Sequence, residues 1–312
     1  MNSKTTVVHE DLSLYGLFSL FIKNWLTLCI SGFSLALIAL VWSLTLPNMY
    51  TAKTVLMSIE EDASKLDGMS GNLGGLASLA GLSIGEKGDK NSKLAIELLK
   101  SREFIAKFID KYDLLIPIMA AESWDLASDT LIINPDIYDE SAKKWVRTTI
   151  APRKPEPSLL EAYEQFITLL EVEEVPKSNF VNVSIKFYSP YLAAEWTRNI
   201  VNMLNEEIRG YDKEEAEQSI EYLKKIATES NIADLRKVFS KLMEEQLKSK
   251  MLAEIRKDYV FKVVDSAFAP ELKSEPKRAI IVIIGGFLGG IIGLIIILFR
   301  SGRKSHIAHQ SQ

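Results

Sequence analysis

Side chains able to make and break covalent bonds are few and poorly placed for it. The histidines are His9, His306 and His309, and the single cysteine is Cys29. All four lie outside the long stretch from Pro47 to Arg278, which therefore has neither imidazole nor thiol. Ser-His-Asp triads, Cys-His pairs and ordinary zinc sites are excluded there, because each needs one of those groups. Carboxylates are plentiful, 41 Asp and Glu against 37 Lys and Arg, but they are scattered along helical patterns in the manner of solvated helix faces. "GLSIGEKGDK" (Gly81–Lys90) is glycine-rich, yet it lacks the G-x-x-x-x-G-K-[ST] spacing that cradles phosphates. No catalytic residue, cofactor-binding residue or metal ligand is assigned. The expectation is a protein that is not an enzyme and carries no cofactor.

The spacing favours helix association instead. Gly285, Gly289 and Gly293 recur every four residues, and Gly286 and Gly290 form a second row beside them. In a membrane helix such small-residue rows permit close backbone approach. An earlier apolar stretch offers Gly32, Ala36, Ala39 and Ser43 in return. Just ahead of the glycines, Pro270 and Pro276 are spaced by two turns of a polyproline II helix, which has three residues per turn, and form a short stiff strut. In a long polar segment, Leu235, Phe239 and Leu242 are apolar groups available for packing on a neighbour.

These candidates need elements to hold them. Trp25–Leu46 and Ala279–Phe299 are free of charge, and each is long enough for a helix to cross a bilayer core, which takes roughly 20 residues. The first is longer than a signal-peptide core, and no A-x-A-like site follows it in "SLTLPNMYTAK". A retained anchor is expected. The plan is residues 1–24 as an N-terminal tail, 25–46 as the first transmembrane helix, 47–278 as a large water-soluble domain, 279–299 as the second transmembrane helix and 300–312 as a C-terminal tail. The basic C-terminal tail (Arg300, Arg303, Lys304) places both tails in the cytoplasm and the domain on the far side. The net charge of −4 and the acidic domain argue against a nucleic-acid partner.

Within the domain, Met49–Ile59 alternates like a strand, and Met69–Lys90 reads as a small-residue loop or loosely helical segment. Ser92–Leu115 reads as a helix capped by Ser92 and ended by Pro117. Pro152, Pro155 and Pro157 mark a break. Ser158–Val175 reads as a helix, Ser178–Ser189 as a strand and Ala193–Arg209 as a helix. A polar helix over about 212–258 continues or restarts it beyond Gly210. At about 1.5 Å per residue, 40 residues of it would project roughly 60 Å. Such a polar helix needs neighbours, in a bundle or an oligomer. Tyr259–Pro270 returns as a strand able to pair with Met49–Ile59 in one sheet. The fold expected is an α+β domain, a small membrane-proximal mixed sheet plus a long extended helix, between two transmembrane helices.

The order of these pieces resembles the polysaccharide co-polymerase family, the O-antigen chain-length determinants of Gram-negative inner membranes. The resemblance is carried by "EDLSLYGLFSLFIKNW", "LPNMYTAKTVLM", "GGLASLAGL", "ELLKSREFIAKFIDKYDLLIPIMAAESWD", "VNVSIKFYSPYLAAEWTRNIVNMLNEEIR" and "KDYVFKVVDSAFAPELKSEPKRA". The family's A-x-x-P-x-x-P-x-x-P approach falls on Ala267, Pro270, Lys273 and Pro276, with Lys273 departing from it. The tail after Phe299 is too short for a tyrosine-kinase domain, which resembles the O-antigen branch. The resemblance implies a homo-oligomeric ring in the inner membrane and a domain in the periplasm. It implies control of the modal length of O-antigen made by a separate membrane polymerase on undecaprenyl-linked sugar. The glycine rows are then a docking face for the chain's own first span, a neighbouring protomer or that polymerase. A length regulator of exopolysaccharide or enterobacterial common antigen shares the architecture. A two-span periplasmic sensor is the reading from another class, and it would need a cytoplasmic output module.

Overall fold

The computed structural model describes residues 24–59, 87–229 and 233–309. In chain order the elements are α1 (Trp25–Thr45), β1 (Tyr50–Ser58), α2 (Lys87–Lys100), α3 (Arg102–Lys111), α4 (Leu115–Ala120), β2 (Ala121–Asp125), β3 (Thr130–Ile133), β4 (Tyr138–Asp139) and β5 (Lys144–Trp145). There follow α5 (Leu159–Leu169), β6 (Leu170–Glu174), β7 (Phe180–Phe187), α6 (Pro190–Glu229), α7 (Ala233–Ile255), β8 (Phe261–Asp265) and α8 (Arg278–His309). Two compact units result, Met1–Pro47 with Ser274–Gln312, and Asn48–Lys273.

The larger unit is built on a four-stranded sheet of order β6-β7-β1-β8. Every pair in it is antiparallel, so the sheet is not mixed as the sequence reading has it. Strand β7 alternates apolar and polar residues, and Val181, Val183, Ile185 and Phe187 are all buried. It aligns with β1 from Tyr50↔Phe187 to Met57↔Phe180, and this register sets Ala52, Thr54 and Leu56 into the same core. Strand β8 closes the other edge of β1 from Ser58↔Phe261 to Val55↔Asp265, across a bulge between Val55 and Leu56. The Thr54 hydroxyl donates to the Asp265 carbonyl at 2.6 Å beside that bulge.

One face of the sheet is covered by the first half of α6. Trp196 packs on Phe187 with ring centroids 4.4 Å apart, and on Phe166 of α5 at 6.4 Å. Phe166 in turn meets Phe108 of α3 at 5.6 Å, so one aromatic chain links sheet and helices. Asn205 sits inside this apolar stripe, buried among Val201, Leu204 and Ile208. Its carboxamide oxygen accepts from the Val260 and Phe261 N–H groups at 3.0 and 3.1 Å, and its amide nitrogen donates to the Phe261 carbonyl at 2.9 Å. Those three bonds anchor the start of β8 to α6.

Helix boundaries differ from the sequence reading at three places. Ser92 is not a cap. It lies inside α2, and the break falls at Ser101, whose side chain accepts from the Phe104 N–H at 3.2 Å and caps α3. Pro117 ends nothing, because Asp113 takes a left-handed conformation (φ 53°) after α3. Leu114 N–H then donates to Ile109 O at 2.9 Å and Asp113 N–H to Asp110 O at 3.3 Å, the paired bonds of a Schellman stop. Pro117 falls in the first turn of α4, where the missing N–H has no helical partner to lose. Helix α5 opens on the Ser158–Glu161 capping box but stops at Leu169. Leu170 and Val172 pair with Ile185 and Val183 as strand β6, so the tail of the expected 158–175 helix is a strand.

The long helix is also corrected. A single polar helix over 212–258 is replaced by α6, unbroken for 40 residues through Gly210, and by α7, which returns along it. Lys213 pairs with Glu254 at 3.2 Å and Lys250 with Glu217 at 3.0 Å, an antiparallel register. Folding back buries a narrow seam between them, with Ala216 of α6 and Ala253 of α7 at its most buried points. The segment Met69–Lys90, expected as a loop or loosely helical, lies outside the described residues except for its last four, which open α2.

Asn205→Ala removes all three bonds and leaves two buried backbone N–H groups and a carbonyl unsatisfied. Destabilisation by about 3 kcal/mol is expected, read as a lower denaturant midpoint of the detergent-solubilised full chain. An unchanged midpoint would show that β8 is held without Asn205.

Candidate functional site

The smaller unit contains the glycine rows. Helices α1 and α8 are the two described helices long and apolar enough to cross a membrane, with mean hydropathies of 2.0 and 3.0 over their candidate spans. They pack together along the row Gly285, Gly289 and Gly293. A Cβ built on Gly285 would lie 2.6 Å from the Ala39 methyl and 3.2 Å from the Leu35 carbonyl oxygen. One on Gly289 would meet the Ser31 carbonyl oxygen at 2.5 Å and the Gly32 Cα at 2.8 Å, and one on Gly293 would collide with the Ser31 hydroxyl. Backbone therefore meets backbone, which only glycine permits.

The second row is different. A Cβ on Gly286 would meet the Ala36 methyl at an ordinary 3.7 Å, and one on Gly290 would meet nothing within 4 Å. Ser43 of α1 is fully buried. Of the three occupants weighed for the glycine face, the chain's own first span lies against it. Large side chains such as Phe33, Trp42, Phe287 and Phe299 point outward and are exposed, as lipid-facing groups would be. Pro270 falls in the larger unit and Pro276 in the smaller, each half-buried.

The helical hairpin separates the other candidates. Phe239 is half-buried and, with Met243 and the buried Ala253, faces the seam with α6, where Ala216 is buried. Leu235 and Leu242 are exposed, and with Val238 they form a stripe at spacings of three and four. Leu247, Met251 and Ile255 form a second exposed stripe at spacings of four. At 100° per residue the two stripes lie on opposite flanks of α7. Single exposed apolar residues are normal, whereas two aligned stripes on one polar hairpin are not scattered exposure of that kind.

Electrostatics supports the scaffold more than any reaction. Lys107 of α3 bridges Glu103 at 3.1 Å and Glu207 of α6 at 2.8 Å. The Glu207 and Glu103 carboxylates hold its ammonium above the usual lysine range, and the same Lys107 bond holds Glu207 below the usual carboxylate range. Among the described residues, no group of His, Cys, Asp and Glu is arranged to hold a metal.

Two helices long and apolar enough to span a membrane, with an α+β domain between them in sequence, fit a two-span membrane protein with a large extramembranous domain. Residues 10–112 match the model of the Wzz family, described as chain length determinant protein. Residues 227–302 match GNVR, a G-rich domain on a tyrosine kinase. Over these two stretches the chain is similar to the chain-length-determinant and GNVR families. A solved full-length bacterial polysaccharide co-polymerase is 13% identical, with 94% of this chain and 98% of that chain covered and a TM-score of 0.37. A fragment of WzzB, a polysaccharide co-polymerase from Salmonella Typhimurium, is 14% identical, with 73% of this chain and all of the fragment covered and a TM-score of 0.28. No curated protein matches the sequence.

The two glycine rows give a paired test. Gly285→Ala with Gly289→Ala should destabilise the α1–α8 pair, since overpacking typically costs about 1–3 kcal/mol. Gly286→Ala with Gly290→Ala should cost little. The readout is the thermal aggregation midpoint of the full chain in detergent, and equal midpoints would refute a glycine-dependent seam.

Proposed function

We propose that this protein is a non-enzymatic regulator that sets the modal chain length of O-antigen polysaccharide during lipopolysaccharide biosynthesis. The match of residues 10–112 to the chain-length-determinant family carries the reading. Its resemblance to O-antigen determinants in "EDLSLYGLFSLFIKNW" and "LPNMYTAKTVLM" supports that glycan. In this account α1 and α8 cross the inner membrane, both termini are cytoplasmic and Asn48–Lys273 stands in the periplasm. Polymerisation belongs to a separate membrane enzyme acting on undecaprenyl-linked sugar.

The exposed stripes of α7 support assembly. A surface with two different apolar flanks, Leu235/Val238/Leu242 and Leu247/Met251/Ile255, suits head-to-tail contact between copies, and a head-to-tail contact closes into a ring when its rotation permits. Phe239 helps by holding α7 on α6, and Leu235 and Leu242 by touching a neighbour.

Deletion of the gene should replace a clustered O-antigen ladder on a lipopolysaccharide gel with an unclustered one, and the intact gene should restore it. A ladder that keeps its cluster, with a change in exopolysaccharide or enterobacterial common antigen instead, would overturn the O-antigen reading. Orientation is checked with Lys224→Cys, an exposed position on α6. A membrane-impermeant maleimide should label it in cells whose outer membrane alone is permeabilised, and labelling only after lysis would invert the topology.

A further inference from the structure

Away from the sheet core and the helical hairpin, the larger unit contains an open groove of about 700 Å³. The β4–β5 hairpin forms one wall, residues 154–156 another, and Leu115 and Ile116 of α4 contribute its apolar part. Tyr138 and Trp145 pair across the hairpin edge to face, with centroids 5.0 Å apart, and both rings are half-exposed at the groove. Lys143, Lys144 and Lys154 line it, as do Asp113 and Glu156, leaving one excess positive charge.

The groove is built rather than incidental. Arg147 donates from Nε to the Pro155 carbonyl at 2.6 Å and from Nη2 to the Lys154 carbonyl at 3.1 Å. The same Nη2 reaches Glu161 of α5 at 2.9 Å, and both side chains are mostly covered. Burial pushes the Glu161 carboxyl up, but the Ser158 N–H and the Arg147 guanidinium outweigh it and keep the group below the usual carboxylate range. One wall is thus clamped to a capped helix. Lys143 itself stands at φ 50°, a left-handed turn position where glycine or asparagine is the low-cost residue. Backbone freedom is given up there for an ammonium at the rim, and sparsely populated backbone conformations of this kind gather at binding sites. None of the three lysine ammoniums makes an ion pair or hydrogen bond among the described residues.

We propose that this groove binds a segment of acidic saccharide, with the apolar face of a sugar ring on Trp145 and Tyr138 and its carboxylate among Lys143, Lys144 and Lys154. Asp113 and Glu156 then accept from sugar hydroxyls, which carboxylates can do and lysines cannot. Exposed aromatic faces beside unpaired cations suit a ring that is apolar on its face and anionic at its edge. The glycan is taken to be the polymer whose length is controlled, so the assignment rests on the reading above for the source of its ligand but not for the site.

The test uses the full chain in nanodiscs, titrated with tetragalacturonate as the acidic probe and maltotetraose as the neutral one, followed by calorimetry. Saturable binding of tetragalacturonate is expected, weakened by salt, with maltotetraose at least about ten-fold weaker, the sum of a few exposed charge contacts. Trp145→Ala and the triple variant Lys143→Ala, Lys144→Ala, Lys154→Ala should each lose about ten-fold. Lys143→Gly relieves the backbone while removing the amine, so it should bind about three-fold more weakly with an unchanged or higher melting midpoint. No saturable binding by the wild type, equal binding of the two probes, or wild-type affinity in Lys143→Gly and Trp145→Ala would each overturn the site. Failure here with an intact effect of gene deletion on glycan length would leave the regulator reading standing, and the converse would leave the site standing.

Discussion

The pairing of β1 with β8 is the constraint on which the larger unit depends. It joins the first and last strands of that unit, with the Thr54 hydroxyl on the Asp265 carbonyl across 211 residues of chain. In sequence β1 follows α1 and β8 precedes α8, so the two segments that lead to the membrane helices become neighbouring strands. Everything inserted between them must start and finish at that edge. Helix α6 leaves the sheet and α7 brings the chain back, and Asn205 fixes the point of return by accepting from the Val260 and Phe261 N–H groups and donating to the Phe261 carbonyl. A straight helix without a partner could not satisfy this closure.

Two kinds of helix contact then serve opposite purposes. Between α1 and α8 no hydrophobic difference from lipid is available, so association needs close backbone approach, and the row Gly285, Gly289 and Gly293 supplies it. Along α6 and α7 water is the solvent, and a thin stripe of Ala216, Phe239, Met243 and Ala253 is enough once flanked by ion pairs such as Lys250–Glu217. Surface pairs of this kind contribute little each. The stability of the hairpin rests more on that stripe, and other apolar residues of α7, Leu235 and Leu242 among them, stay exposed.

Much of this was legible in the sequence where periodicity is strong. The alternation of Val181 to Phe187, the charge-free spans and the return strand after Tyr259 each specify an element without help from its surroundings. Boundaries set by single residues were harder to read. Asp113 stops α3 by adopting a left-handed conformation that aspartate tolerates, and nothing in "KYDLLIP" ranks it above the proline that follows. Leu170 and Val172 continue a helical pattern as well as a strand pattern, and only β7 beside them decides. The reversal between α6 and α7 has no glycine or proline to announce it. The Arg147–Glu161 clamp joins residues whose partnership depends on the backbone carbonyls of Lys154 and Pro155, which no side-chain pattern reveals. Asn205 did carry a signal, a carboxamide in an apolar stripe, since a buried amide must find partners.

A regulator of this kind sets polymer length without making polymer. The most direct measurement reconstitutes a membrane polymerase and undecaprenyl-linked sugar units in liposomes, with and without this protein, and sizes the product on a gel. The account predicts a broad distribution from the polymerase alone, a distribution clustered about one length when the chain is added, and no polymer from the chain alone. An unchanged distribution on addition, or polymer formed by the chain without the polymerase, would contradict it.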